Sequence, residues 1–225
     1  MQRPIQVLIL ESEPSVLQIY KRVLQAIAGS SDTTSFHFKV AKNYGSALVL
    51  MDWLKQLGRV DLTLLNLSMT TSENGKTVFT EDLASLLRQG FPEMKLMLFT
   101  SSISSFKVSL LFETMDPDSL IIHDDVDFKE LVVAVNAVLN STPYYSKSVL
   151  CEIRKSFSNG VYLDYTDKLI LYHLSKGVKT KDLPGLVNLS KGGVERRKRN
   201  LKDRFNIDKG GDKLLLEKAR EQGFI

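Results

Sequence analysis

The chain has 225 residues, 43% of them hydrophobic and 25% charged, with a net charge of +4; this suits two modest domains with packed cores and excludes a largely disordered chain. No apolar run approaches the roughly 18 residues of a membrane helix, and residues 1–11 lack the basic start and long apolar stretch of a signal peptide, so a cytoplasmic protein with no membrane partner is expected. Cys151 is the single cysteine, which excludes an internal disulfide and agrees with a reducing compartment.

In chain order, "IQVLIL" from Ile5 reads as a buried strand. "PSVLQIYKRVLQAI" after it repeats Val16, Ile19, Val23, Leu24 and Ile27 at helical spacing. "FHFKVA" alternates as a second strand. "SALVLMDWLKQLG" is a second helix with Leu48, Met51, Leu54 and Leu57 in a stripe, Trp53 packed on it and Gly58 as its stop. The third strand, at Leu62, is followed by a polar loop, "TTSENGKT". Then come a helix near "EDLASLLRQG", a strand "KLMLFT", a helix around "SFKVSLLFETM", a strand "LIIH" and a helix "DFKELVVAVNAVLN". Strands alternating with helices require crossover connections, hence a doubly wound, five-stranded parallel sheet in an α/β domain over residues 1–140.

"NSTPYYSKSV" breaks the alternation, and residues 141–157 are expected to be a linker. Residues 158–225 form an all-α domain of four helices. Asp164 caps the first, "YTDKLILYHLSKG", whose inner stripe is Ile170, Leu171 and Leu174 and whose left-handed stop is Gly177. Thr180 begins a short second helix, "TKDLPGLV", and "NLS" makes a turn with Leu189 pointing inward. Ser190 caps the third, "KGGVERRKRNLKDRF", and "DKLLLEKAREQG" is the fourth.

Charge is unevenly spread. Residues 159–225 hold 15 Lys or Arg against 9 Asp or Glu, whereas the rest holds 15 against 17. A weakly acidic front joined to a basic tail suits a regulator that carries a nucleic-acid-binding module. In the third helix Val194, Leu201 and Phe205 share an inward face, and Glu195, Arg196, Arg199 and Lys202 lie opposite, with Arg197, Lys198 and Arg204 flanking. Such a helix fits the major groove, with arginines reaching guanine edges and other cations meeting phosphates.

"VLILESEP", "DLTLLNLSM", "LMLFTS" and "LIIHDD" resemble, in order and spacing, the strands of response-regulator receiver domains. That resemblance implies a pocket of two acids, an acceptor aspartate, a Thr or Ser, and a lysine; the matching positions here are Glu11, Ser12, Asn66, Thr100 and His123. Phosphoryl transfer to a carboxylate needs a nucleophile, a Mg²⁺ held by hard oxygens and cations around the phosphoryl oxygens. A neutral amide at Asn66 cannot attack or supply charge to the metal, so the front domain is expected to work without phosphotransfer. Leu120 stands where many receivers carry an aromatic switch residue. Glu11 and His123 are too few for a metal site, and neither catalysis nor a cofactor is expected.

The tail, from about Leu163 to the end, resembles LuxR/NarL-type DNA-binding domains. The resemblance implies base contacts at Glu195, Arg196 and Arg199, and lysine is usual where Glu195 stands. It also implies a double-stranded DNA partner and a homodimer on paired half-sites; a regulatory protein partner is one candidate for the signal that replaces phosphate. Gly192, Gly193, Pro184 and Leu169 depart from the pattern. The expectation is a phosphorylation-independent atypical response regulator acting as a DNA-binding transcriptional regulator. The alternative is a protein-interaction regulator or antagonist whose altered helix-turn-helix does not bind DNA specifically.

Overall fold

The computed structural model describes residues 3–31, 33–69, 71–73, 76–78, 80–158 and 163–225. They divide into two compact units, residues 1–102 with 114–149, and residues 103–113 with 150–225. Among the described residues no helix is long and apolar enough to cross a membrane.

In the first unit, strands β1 (Ile5–Leu10), β2 (Phe36–Ala41), β3 (Leu62–Asn66), β6 (Lys95–Thr100), β7 (Ser119–Ile122) and β8 (Tyr144–Tyr145) form one sheet in the order β2-β1-β3-β6-β7-β8. Every neighbouring pair is parallel, for example Leu64 beside Met97 and Ile9 beside Leu64. Helices α1 (Pro14–Gly29), α2 (Tyr44–Leu57), α3 (Thr80–Gly90) and α5 (Phe128–Leu139) supply crossovers between its strands. All five residues of β3 are buried, as a central strand covered on both faces requires. Val7, Ile9, Leu64, Met97 and Phe99 pack against Leu17, Tyr20, Val23 and Leu24 of α1 and Leu131 and Val135 of α5. Gly58 ends α2 at φ 77°, in the left-handed region that glycine enters without a Cβ clash.

The sheet has six strands where five were expected. The sixth lies in the segment expected to be a linker: Tyr144 and Tyr145 pair with Ser119 and Leu120, and the Tyr145 hydroxyl donates to the Pro117 carbonyl at 3.1 Å. A Pro and Ser next to two tyrosines read as a break in sequence, whereas the aromatic rings suit a sheet edge. Helix α6 (Lys147–Ser158) follows at once. The polar loop after β3 contains an antiparallel hairpin of β4 (Thr71–Glu73) and β5 (Lys76–Val78); the rest of it, residues 70, 74 and 75, lies outside the described residues. Ile19, expected inward, is exposed on α1, and Trp53 is half open with Lys39 Nζ 4.7 Å from its ring centroid.

The second unit holds α4 (Ser105–Met115) through residue 113, α6 from Leu150, and helices α7 (Tyr165–Ser175), α8 (Lys191–Arg204) and α9 (Asp212–Glu221). Leu163, Ile170, Leu171, Leu183, Val194, Leu201, Phe205, Leu215 and Ala219 make its core, and Phe224 packs edge-on against Phe205. Lys168 Nζ pairs with Glu113 of α4. The expected second helix at Thr180 is not an α-helix. A 3-10 turn covers Thr180–Asp182, and irregular turns continue to Asn188. Pro184 explains it: its ring has no N–H to continue the helical ladder back to Thr180, although Leu183 before it keeps right-handed helical backbone at φ −64° and ψ −36°. Leu186 N and Val187 N bond back to the Leu183 carbonyl, leaving a compact elbow.

Candidate nucleic-acid interface

Ser190 caps α8 through a hydrogen bond from Gly193 N to Ser190 Oγ, 3.1 Å, and satisfies one of the helix's orphan donors. Before it, Asn188 sits at φ 51°, a left-handed turn position that asparagine tolerates, and Leu189 tucks partly into the core. Val194, Leu201 and Phe205 are then buried at spacings of seven and four residues, which fixes the rotation of α8 about its axis. Glu195, Arg196 and Arg199 consequently face outward and are exposed, and Lys191 and Asn200 lie exposed with them. Lys202 is partly covered and donates to the Gly210 carbonyl at 2.8 Å.

The remaining cations of α8 are paired with acids of the same unit, Lys198 buried, Arg197 partly covered and Arg204 exposed. Arg197 Nη1 donates to Asp164 and, at 2.9 Å, to Asp167 Oδ1. Arg204 Nη1 reaches Asp167 Oδ2 at 3.0 Å. Lys198, 7% exposed, places Nζ 2.6 Å from Thr180 Oγ1 and 2.8 Å from Asp212 Oδ1. Burial pulls the Asp164 carboxyl upward, but hydrogen bonds from Arg197 and from the Asp167 and Thr166 N–H groups outweigh it, so the group titrates below the usual carboxylate range. The Asp164 and Asp167 carboxylates push the Arg197 guanidinium further upward. The acids of this arrangement were not singled out in sequence, where Asp164 read only as a cap. The available signal was Asp164 and Asp167 within one turn of α7, set against Arg197 and Arg204 seven residues apart on α8.

At the carboxyl ends of the strands the resemblance-derived pocket positions are near one another but bonded in separate sets. Glu11 is fully buried, and its carboxylate accepts from Asn66 Nδ2 at 2.9 Å and from Glu13 N at 2.8 Å. Asn66 Oδ1 accepts from Ser68 N at 2.8 Å. The Thr100 hydroxyl donates to the Ser102 carbonyl at 2.9 Å, and Ser12 is exposed. His123 Nε2 lies 3.1 Å from the Tyr20 hydroxyl, and its ring stacks on Phe99 with centroids 5.8 Å apart. Burial and the Glu11 charge together push the Tyr20 phenol well above its ordinary range. His123, Tyr20 and Phe99 also line a cavity of about 490 Å³ with Val16, Leu131 and Phe128. Among the described residues no group of three or more His, Cys, Asp or Glu could hold a metal ion.

No family model matches the sequence, and no curated protein matches it. Solved structures do match its fold. RcsB from Salmonella enterica serovar Typhimurium, bound to promoter rprA in the presence of phosphomimetic BeF3-, aligns with a TM-score of 0.62 at 16% identity over 96% of this chain and 98% of that one. The same protein bound to promoter P1flhDC gives 0.60 at 16% identity over 95% and 97%. Its isolated REC domain gives 0.53 at 16% identity, covering 67% of this chain and 99% of that one. At such identity the likeness shows the fold, a receiver-type α/β sheet followed by a helical domain.

Proposed function

We propose that this chain is a DNA-binding transcriptional regulator of the response-regulator type, acting from the cytoplasm as a homodimer on double-stranded DNA. The observation that carries the reading is the outward presentation of Glu195, Arg196 and Arg199 along one exposed face of α8, on a helix whose opposite face is fixed in the core. A helix of that length fits the major groove, where arginine pairs with the O6 and N7 of guanine and a carboxylate accepts from the cytosine amino group. Several of the fold-alike RcsB structures are DNA complexes, and one contains two RcsB dimers on two DNAs. That supports duplex DNA as partner and pairing of two copies. A single small helix-turn-helix rarely binds tightly alone, which favours paired half-sites. Lys202 stands at the edge of this face, whereas Arg197 and Lys198, expected from the sequence to contact DNA, are paired with Asp164, Asp167 and Asp212 within the unit.

The receiver-like unit, on this reading, is a docking or dimerisation module that does not run phosphotransfer and is not an enzyme. Asn66 offers an amide to Glu11 instead of a nucleophile, and His123 is engaged by Tyr20 where a cation would serve a phosphoryl group. A protein partner or the abundance of the chain would then set its activity.

The test is duplex binding over a salt series. Wild-type chain is expected to bind random DNA with a steep slope, and Arg196→Ala combined with Arg199→Ala is expected to flatten the slope by about two phosphates' worth and to weaken binding. No binding at low salt would support the protein-interaction reading in its place. Incubation with acetyl phosphate and Mg²⁺ is expected to leave the chain unlabelled; stable labelling at Asn66's strand end would overturn the phosphorylation-independent part.

A further inference from the structure

Helix α8 carries seven Lys or Arg among its fourteen residues, yet three of them, Arg197, Lys198 and Arg204, are tied to acids of neighbouring elements. The centre of this arrangement is Asp167. Its side chain is only 4% exposed, and its two oxygens each take one guanidinium, Arg197 at 2.9 Å and Arg204 at 3.0 Å. Those arginines stand seven residues apart, two helical turns, so one buried carboxylate on α7 grips α8 at two points along its length. Asp164, one turn before Asp167, adds a second acceptor for Arg197 and at the same time caps α7 through the Asp167 N–H at 2.9 Å.

We propose that Asp167, assisted by Asp164, is a positioning residue for sequence recognition: it holds α8 at one rotation and depth for Glu195, Arg196 and Arg199, and withholds Arg197 and Arg204 from phosphate binding. This rests on the DNA-binding reading above. Two physical arguments carry it. The apolar residues Val194, Leu201 and Phe205 fix which way α8 faces, but apolar contact is non-directional and tolerates sliding along the axis. A bidentate carboxylate anchored on a neighbouring helix is directional, and two grips two turns apart resist both sliding and tilting. Guanidiniums already neutralised by Asp167, Arg197 at 30% and Arg204 at 42% exposure, displace fewer counterions from DNA phosphates than free ones, so the clamp lowers the sequence-independent share of binding while preserving the base-reading share.

Electrostatics alone and positioning predict opposite signs, which makes the idea testable. Removing an acid beside a DNA-binding face strengthens attraction to any duplex; loosening the recognition helix weakens only the cognate one. The experiment uses full-length chain, a duplex enriched from a random pool by the wild-type chain, and a random duplex of equal length, each titrated across a salt series. Asp167→Asn is expected to bind the random duplex more tightly, to steepen its salt slope by up to about two phosphates at roughly 0.9 each, and to bind the enriched duplex at least tenfold more weakly relative to random. Asp164→Asn keeps an N-cap, since asparagine caps as well as aspartate, so it serves if Asp167→Asn does not fold. It removes one of the two acceptors of Arg197 and leaves the Asp167 contact in place, so it is expected to steepen the slope by less than one phosphate with a smaller loss of preference. A structural role alone would lower both affinities by the same factor, and that result, or an unchanged slope and preference in both variants, overturns the clamp. Wild-type chain that binds neither duplex sinks the DNA reading and the clamp together, whereas wild-type binding with unaltered variants sinks only the clamp.

Discussion

The amide of Asn66 donates to the buried carboxylate of Glu11, 2.9 Å from Nδ2 to Oε2, so the end of β3 presents a hydrogen-bond donor to a buried acid. Asn66→Asp is therefore not a harmless restoration of an acid. It sets two carboxylates face to face in a site where Asn66 is 8% and Glu11 0% exposed, so one of them must titrate above its ordinary range, at about 1.4 kcal/mol per unit of displacement. A raised folded-state value means the penalty is absent below the ordinary carboxylate range and grows as pH rises through it. Urea unfolding is expected to show the variant weaker than wild type by roughly 1–3 kcal/mol at pH 7.5 and nearly equal to it near pH 4. An equal deficit at both values would mean that the two groups do not oppose each other.

Tyr20 offers a second titration experiment. Its hydroxyl is 3.1 Å from His123 Nε2, its side chain is almost fully buried, and burial with the Glu11 charge raises its phenol above the ordinary 10.0. The folded state keeps the proton that the unfolded chain releases above about pH 10, so this group adds stability below that pH and subtracts it above. Wild-type chain is expected to lose stability more steeply than Tyr20→Phe between pH 10 and 11, by up to about 1.4 kcal/mol per pH unit. At pH 7 the variant should be weaker by about 0.5–1.5 kcal/mol, the loss of one hydrogen bond. Parallel stability curves above pH 10 would contradict the assignment.

Much of this was legible in the sequence because it depends on local pattern. The buried strand Leu62–Asn66 follows from its run of leucines, and the ends of α2 and α7 follow from Gly58 and Gly177, both at positive φ. The inward triad Val194, Leu201 and Phe205 follows from helical spacing alone. What was not legible depends on partners distant in sequence. Tyr144 becomes a strand residue only because β7 leaves an edge open for it, and the segment from Thr180 turns into an elbow because Pro184 interrupts a helix that composition favoured. Asn66 at the end of β3 was readable from the sequence, but the engagement of His123 by Tyr20, 103 positions away, was not. Similarly, a basic helix looks uniformly available until Asp164, Asp167 and Asp212 reveal which of its cations are already occupied.

Lys198 is the case where that occupation concerns stability more than recognition. Its ammonium is nearly buried against Asp212 and Thr180, so removing the acid leaves a charge without a counter-ion. A fully buried pair broken this way costs about 3–5 kcal/mol, but the Asp212 side chain is 37% exposed, and solvent screening brings the expected loss for Asp212→Asn to roughly 1–2 kcal/mol. Lys198→Met in the same chain should recover much of it, because the stem packs and the charge is gone. A double-mutant cycle by chemical denaturation measures the coupling, and additive losses would argue against it.

Gly192 separates helix stability from DNA contact. A Cβ added there meets nothing within 4 Å, whereas at Gly193 it would come 3.3 Å from the Ser190 oxygen that caps the helix. Gly192→Ala is thus expected to stabilise the chain by up to about 1 kcal/mol through the backbone entropy that alanine does not lose, while Gly193→Ala gains less because it crowds the cap. If the first turn of α8 brings its backbone against a phosphate, as an open glycine there permits, the added methyl should weaken duplex binding several-fold even as it raises the unfolding temperature. Thermal unfolding and DNA titration on the same preparation measure both effects. Tighter folding with unaltered affinity would place the phosphate elsewhere along the helix.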